Sequence, residues 1–182
     1  MVHMSVLSIR QIGDPVLRSP ASPVPLPDGV PASRICRLVG DMDQTMEQVS
    51  GIGLAAPQVG VSLRIFTWHV GESRGAVINP ELELSGSPGF VPRADDQEED
   101  AVLREGCLSI AGGIYAPVER FPHAVLFGLG TDGAPLQVEA TGLLAACFQH
   151  ELDHLDGKLF LDRLTGEHKK QAHRVLRKAV VA

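Results

Sequence analysis

The chain has 182 residues, with 16 lysines and arginines against 22 aspartates and glutamates, giving a formal net charge of −6. An acidic chain without a basic run is poorly suited to holding phosphate backbones, which excludes a nucleic-acid-binding role. Hydrophobic residues make up 44% and charged residues 21%, close to globular averages, which excludes general disorder and fibrous classes.

A chain of this length favours a single domain over residues 1–182, large enough to bury roughly 70% of its unfolded surface without disulfides or a structural metal. No stretch approaches ~18 consecutive apolar residues, so no membrane span is expected. The opening MVHMSVLSIRQIGDPVLR is too mixed for the apolar centre of a signal peptide and too poor in basic residues for a transit peptide. Cys36, Cys107 and Cys147 are odd in number and widely spaced. They read as reduced thiols, and a cytoplasmic location is expected.

In chain order, residues 19–31 (SPASPVPLPDGVP) hold too many prolines for regular structure and predict an extended arm or loop. From Ala32 to Ser50, the residues Ile35, Leu38, Val39, Met42, Met46 and Val49 recur at helical spacing. Pro31 suits the first turn of that helix and Gly51 its stop. Strand-forming runs follow at Arg64–Val70, Ala76–Asn79, Ala124–Gly130 and Leu136–Ala140. Trp68 in the first of these reads as a core or half-buried residue. Residues 85–100 mix glycine and proline with the acidic run DDQEED, predicting a solvated loop or a face for a basic partner. A helix is expected over Gly142–Asp156, capped by Thr141 and ended by Gly157. A last amphipathic helix is expected over Gly166–Val180, burying Ala172, Val175, Leu176 and Ala179. Strands in the middle and helices towards both ends predict an α+β fold, mainly antiparallel.

Chemistry concentrates in His150-Glu151-Leu152-Asp153-His154, an H-E-x-x-H pattern. Residues four apart on a helix lie about 40° from one another, so both imidazoles can reach one ion while Glu151 touches a water beside it. Leu144, Phe148, Leu152 and Leu155 fall in a separate sector that would face the core. Gln149, Asp153 and Asp156 form a third, polar sector. The other histidines (His3, His69, His123, His168 and His173) have no motif around them and receive no role.

A hydrolytic metal site wants a third protein ligand and one open position. Zinc proteases with this motif take the third ligand from downstream. Here Phe160 stands at the expected place, and Glu167, His168 and His173 belong to the last helix. Cys147 lies seven residues from His154, about 10 Å along a helix axis, too far to share the ion with both histidines. It reads as a pocket wall or as core packing. Cys107, in Arg104-Glu105-Gly106-Cys107-Leu108-Ser109, is a candidate ligand compatible with iron(II) or zinc, or else a buried bystander.

Three segments together resemble peptide deformylases: Gly51-Ile52-Gly53-Leu54-Ala55-Ala56-Pro57-Gln58, Glu105-Gly106-Cys107-Leu108-Ser109, and Gln149-His150-Glu151-Leu152-Asp153-His154. Weaker similarity extends to Gly13-Asp14-Pro15-Val16-Leu17-Arg18 and Ile78-Asn79-Pro80-Glu81. The resemblance implies mixed, mostly antiparallel sheets around a central metal-binding helix, with a C-terminal helix. It implies a metal-dependent hydrolase that takes formate from the N-formyl-methionine of nascent polypeptides at the ribosome. Cys107, His150 and His154 would hold iron(II), or zinc, nickel or cobalt in its stead, with Glu151 as acid and base. Gln58 and the Leu108 N–H would stabilise the oxyanion. Ile52, Leu103, Leu143, Ala146 and Cys147 would line the methionine pocket, and the Gly53 backbone would hold the peptide.

The chain departs from the family after Ile110, where Ala111-Gly112-Gly113-Ile114-Tyr115-Ala116-Pro117 is glycine-rich and shifted. Tyr115 is the candidate rim residue, and Arg120 rather than Arg104 is the expected partner of Glu105. A monomer or homodimer is expected, with no nucleic acid and no membrane as partner. Two rival readings are a small H-E-x-x-H peptidase and a non-catalytic deformylase relative at the ribosome. The first lacks a downstream ligand, and the second predicts a damaged ligand set, which is intact here.

Overall fold

The computed structural model describes residues 5–26, 29–93 and 101–181, and the side chains of the last helix as far as Lys178. Its centre is a five-stranded antiparallel sheet of β1 (Gly53–Ala55), β2 (Ile65–Val70), β3 (Ser73–Ser85), β8 (His123–Leu129) and β9 (Pro135–Thr141), in the order β1-β2-β3-β8-β9. Two small ladders complete the β structure. One pairs β4 (Gly89–Phe90) with β7 (Glu119–Arg120), the other β5 (Arg104–Glu105) with β6 (Ala116–Pro117). The helices are α1 (Ser33–Gln48), α2 (Gly142–Leu155), a short α3 (Phe160–Arg163) and α4 (Gly166–Val181).

Strand residues alternate between faces, and here both faces of β1–β3 are covered. Ala55, Phe66, Trp68 and Val77 pack on one side with Phe148 of α2. Leu54, Ile65 and Ile78 pack on the other with Met42 and Met46 of α1. That double cover is why Ile65, Phe66, Thr67 and Trp68 of β2 are all buried. Phe148 wedges between rings, its centroid 5.2 Å from Trp68 and 5.9 Å from Phe66. A third cluster joins Ile110, Ile114 and Val118 to Phe160, Leu161 and Leu164 and to Ala172 of α4.

Several elements differ from the sequence expectation. α1 ends at Gln48, and Val49 is 37% exposed rather than buried. β3 runs on to Ser85 past the Asn79-Pro80 breaker, because a bulge between Ile78 and Glu81 absorbs it. Asn79 takes a positive φ of 53° there. Its side chain accepts from the Val24 N–H at 2.7 Å and donates to the Val24 C=O at 3.1 Å, fastening the proline-rich arm to the sheet. The region expected as a solvated loop contains β4 and a buried Val91, while its acidic stretch 94–100 lies outside the described residues. Thr141 precedes α2 but makes no side-chain cap bond. In α4, Ala172 is buried and Val175 and Leu176 half-buried, and Ala179 lies outside the described side chains. Among the described residues no helix is long and apolar enough to cross a membrane.

Candidate metal centre

α2 ends as its Gly157 predicts. That glycine takes φ 71°, its N–H reaches the His154 C=O at 3.2 Å, and the Lys158 N–H reaches the Asp153 C=O at 2.8 Å, the Schellman arrangement. This fixes the last turn, and with it His154. His150 lies one turn earlier, the two ring centroids 5.0 Å apart. Cys107 enters from a turn closed by the Ile110 N–H on the Cys107 C=O at 3.0 Å. Cys107, His150 and His154 each bring a ligand atom within 4.8 Å of the others, and Cys107 Sγ lies 3.2 Å from His154 Nε2.

The donor set fits a divalent cation. One thiolate and two imidazoles suit zinc or iron(II). His150 Nδ1 meets Glu105 Oε2 at 2.8 Å, an acceptor that fixes the proton on Nδ1 and turns Nε2 towards the cluster. Burial, followed by the nearby His150 charge, keeps the His154 imidazole well below its usual pKa, hence neutral as a ligand must be. Burial also works against a charged His150, but its contacts with Cys107 and Glu105 outweigh that and raise its pKa well above normal. The negative groups that attract a proton there equally favour a cation.

Behind the candidate ligands runs a buried chain of charges. Arg120 grips Glu105 with two bonds of 2.7 and 2.9 Å and Asp153 with one of 2.7 Å. Arg163 holds the other side of Asp153 at 2.5 Å. Burial raises Glu105, yet the bonds from Arg120 and His150 prevail and hold its carboxyl at about 2. Arg104 instead donates to the Tyr115 C=O at 2.7 Å. The polar sector of α2 is therefore largely internal, with Gln149 and Asp153 buried and Gln149 Nε2 donating to the Phe121 C=O at 2.9 Å. Helical patterning treats polar residues as solvent-facing, and only partners distant in sequence reveal the exception.

Glu151 is 3% exposed, and its Oε2 has no hydrogen-bond partner among the described residues. Burial pushes its pKa up to about 7, in range to exchange protons near neutrality. Gly53 is pressed against it: a Cβ at that position would collide with the Glu151 carboxylate and the Cys147 sulfur. Gln58 is tied to its own loop and still faces the cluster. Its Oε1 accepts from the local Ala55 N–H at 2.8 Å, while Nε2 faces Cys107 Sγ at 3.6 Å and Ser109 Oγ at 3.4 Å.

A cavity of about 280 Å³ opens beside the cluster. It brings together Ile52, Gly53, Leu103, Leu143, Ala146, Cys147 and Tyr115 with Gln58, Cys107, Leu108, His150 and Glu151, while the deeply buried His154 is absent from its lining. Cys147 is buried, its thiol donating to the Ile52 C=O at 3.4 Å. Tyr115 stands 62% exposed at the mouth, and its ring lies over Gly106 where any Cβ would strike it. His69, His123, His168 and His173 are exposed and outside the site. Sequence reasoning missed Ser109, Asp153 and Arg163. A Ser after the Cys107-Leu108 pair and an Asp inside the histidine motif were visible, but no signal linked them to the site.

The chain matches the family model described as polypeptide deformylase over residues 6–170. A peptide deformylase of Mycobacterium sp. strain JLS is 44% identical, covering 96% of this chain and 89% of its own. The crystal structure of a Legionella pneumophila peptide deformylase superposes with a TM-score of 0.80 at 34% identity, over 96% of this chain and 95% of that one. That of a Synechococcus elongatus peptide deformylase in complex with actinonin gives 0.79 at 33% identity, over 100% and 93%. By sequence and by fold, the chain belongs to the polypeptide deformylase family.

Proposed function

We propose that this chain, acting as one catalytic unit over residues 1–182, removes the formyl group from N-formyl-methionine at the start of nascent polypeptides. Cys107, His150 and His154 hold the cation, and Glu151 is the acid and base. The observation that carries this reading is the meeting of one sulfur and two imidazoles within 4.8 Å beside a cavity walled by Glu151 and Gln58. The family resemblance points to iron(II) as the metal in the cell, and the donor set admits it, with zinc, nickel or cobalt able to stand in.

A formamide resists hydrolysis because its carbonyl is resonance-stabilised and its amine leaves poorly. When bound, the cation supplies Lewis acidity, polarising a carbonyl and making water a competent nucleophile at neutral pH. Glu151 accepts the attacking water's proton on its unpaired oxygen and hands it to the departing amine. Gln58, its Oε1 tied to Ala55, has only its NH₂ to offer the site. With the Leu108 N–H it meets the charge growing on the formyl oxygen, and one such donor is worth about 2.7–4 kcal/mol. Ile52, Leu103, Leu143, Ala146 and Cys147 receive the flexible methionine side chain, and the Gly53 backbone holds the peptide beyond it. Substrates reach the enzyme in the cytoplasm as chains leave the ribosome, and the enzyme acts as a monomer or homodimer.

Formate release from formyl-Met-Ala-Ser, with iron(II), zinc, nickel or cobalt loaded anaerobically, tests this. Formate appearing in step with free Met-Ala-Ser, with acetyl-Met-Ala-Ser left intact, is expected. No formate with any of the four metals overturns the reading.

A further inference from the structure

We propose that Gln11 is a positioning residue for deformylation, holding the turn that carries both Cys107 and the Leu108 N–H. The inference rests on the function proposed above.

Residues 10–12 cross the outside of the site and bond to both loops that carry oxyanion donors. The Arg10 N–H donates to the Gln58 C=O at 2.7 Å, and the Ile12 N–H donates to the Ser109 C=O at 2.7 Å. Between them, Gln11 Nε2 donates to the Leu108 C=O at 3.0 Å. The acceptor is a carbonyl, so the amide must present its NH₂ and not its oxygen.

Leu108 and Ser109 are the middle residues of the turn that the Ile110 N–H closes on Cys107. In such a turn the central peptide is the unit free to flip, since the closing bond constrains only the ends. The Leu108 C=O belongs to that central peptide, so a donor on it selects one orientation of the plane. The first peptide of the same turn presents the Leu108 N–H, and its first residue presents the sulfur. One exposed side chain thereby steadies an oxyanion donor and a ligand without touching substrate.

Segment 10–12 is anchored independently of Gln11. Before it, the Leu7 N–H bonds to Thr45 Oγ1 at 2.9 Å; after it, Asp14 caps the turn at Pro15–Arg18 and Leu17 is fully buried. Exchanging the exposed Gln11 side chain therefore leaves the fold intact.

The test compares Gln11→Glu, which keeps the shape and removes the donor, with Gln11→Lys, which restores a donor of sufficient reach. A hydrogen bond of this kind is worth about a factor of three to ten. Gln11→Glu should lower kcat by about that factor with KM and metal content unchanged, and Gln11→Lys should restore kcat. Amide hydrogen exchange of Ile110, whose N–H closes the turn, should quicken in Gln11→Glu and recover in Gln11→Lys, with or without metal. Wild-type kcat and exchange in Gln11→Glu overturn the proposal, as does equal loss in both variants. A wild-type protein with no deformylase activity, but with Ile110 exchange following the donor, sinks the function and leaves the strap standing.

Discussion

Arg120 is the residue whose removal the structure prices most directly. Its side chain is 3% exposed and lies between Glu105 at 8% and Asp153 at 6%, so solvent screening takes little from these pairs. Arg120→Leu keeps the bulk and leaves Glu105 with His150 alone among the described residues, while Asp153 retains Arg163. Breaking a buried pair by removing one partner costs about 3–5 kcal/mol. The lowered Glu105 carboxyl is of the same order: a move from 4.5 to about 2 corresponds to about 3 kcal/mol, shared between Arg120 and His150. At about 2–4 °C per kcal/mol for a chain of this size, the melting point should fall by roughly 6–20 °C. The sign with pH follows from the lowered folded pKa. The stabilisation is complete above the unfolded value of 4.5 and is lost as pH falls towards 2, more than halving by about pH 3. Urea unfolding of metal-free wild type and Arg120→Leu across this range is the assay. A difference below about 1 kcal/mol at neutral pH, or one undiminished at low pH, refutes the reasoning.

Glu151→Gln should retain the metal and lose about 10²–10⁴ in kcat; metal analysis beside the rate shows at once if Glu151 is instead a ligand. Gly53→Ala should fold and bind metal but lose at least tenfold in kcat, since its Cβ must displace the Glu151 carboxylate. Unchanged kinetics would show that the close approach has no consequence. Metal retention should weaken as pH falls, because the contacts that raise the proton affinity of His150 let protons compete with the cation for the ring. Equilibrium dialysis at graded pH measures this directly.

The α+β class is legible in the strand runs and the helices towards both ends, and of the candidate site the histidine helix alone is marked by spacing. The histidine helix announces itself because a metal needs two imidazoles on one face, a local requirement that spacing records. Cys107 and Glu105 have no such local signature, and their relation to the helix came through resemblance. The paired strands β4–β7 are two residues each, too short for any period, and their partners come from distant parts of the chain. Asn79-Pro80 ordinarily breaks a strand, and only the bulge between Ile78 and Glu81 shows how β3 continues. Periodicity puts Asp153 in a polar sector and cannot show that it is buried, because its charge is satisfied by Arg120 and Arg163 from outside the helix.

X-ray absorption on the zinc- or cobalt-loaded protein tests the central claim most directly. One sulfur at about 2.3 Å and two imidazole nitrogens at about 2.0–2.1 Å are predicted, with the sulfur shell vanishing in Cys107→Ser. A sulfur-free first shell in the wild type, or a sulfur shell that survives that substitution, would contradict it.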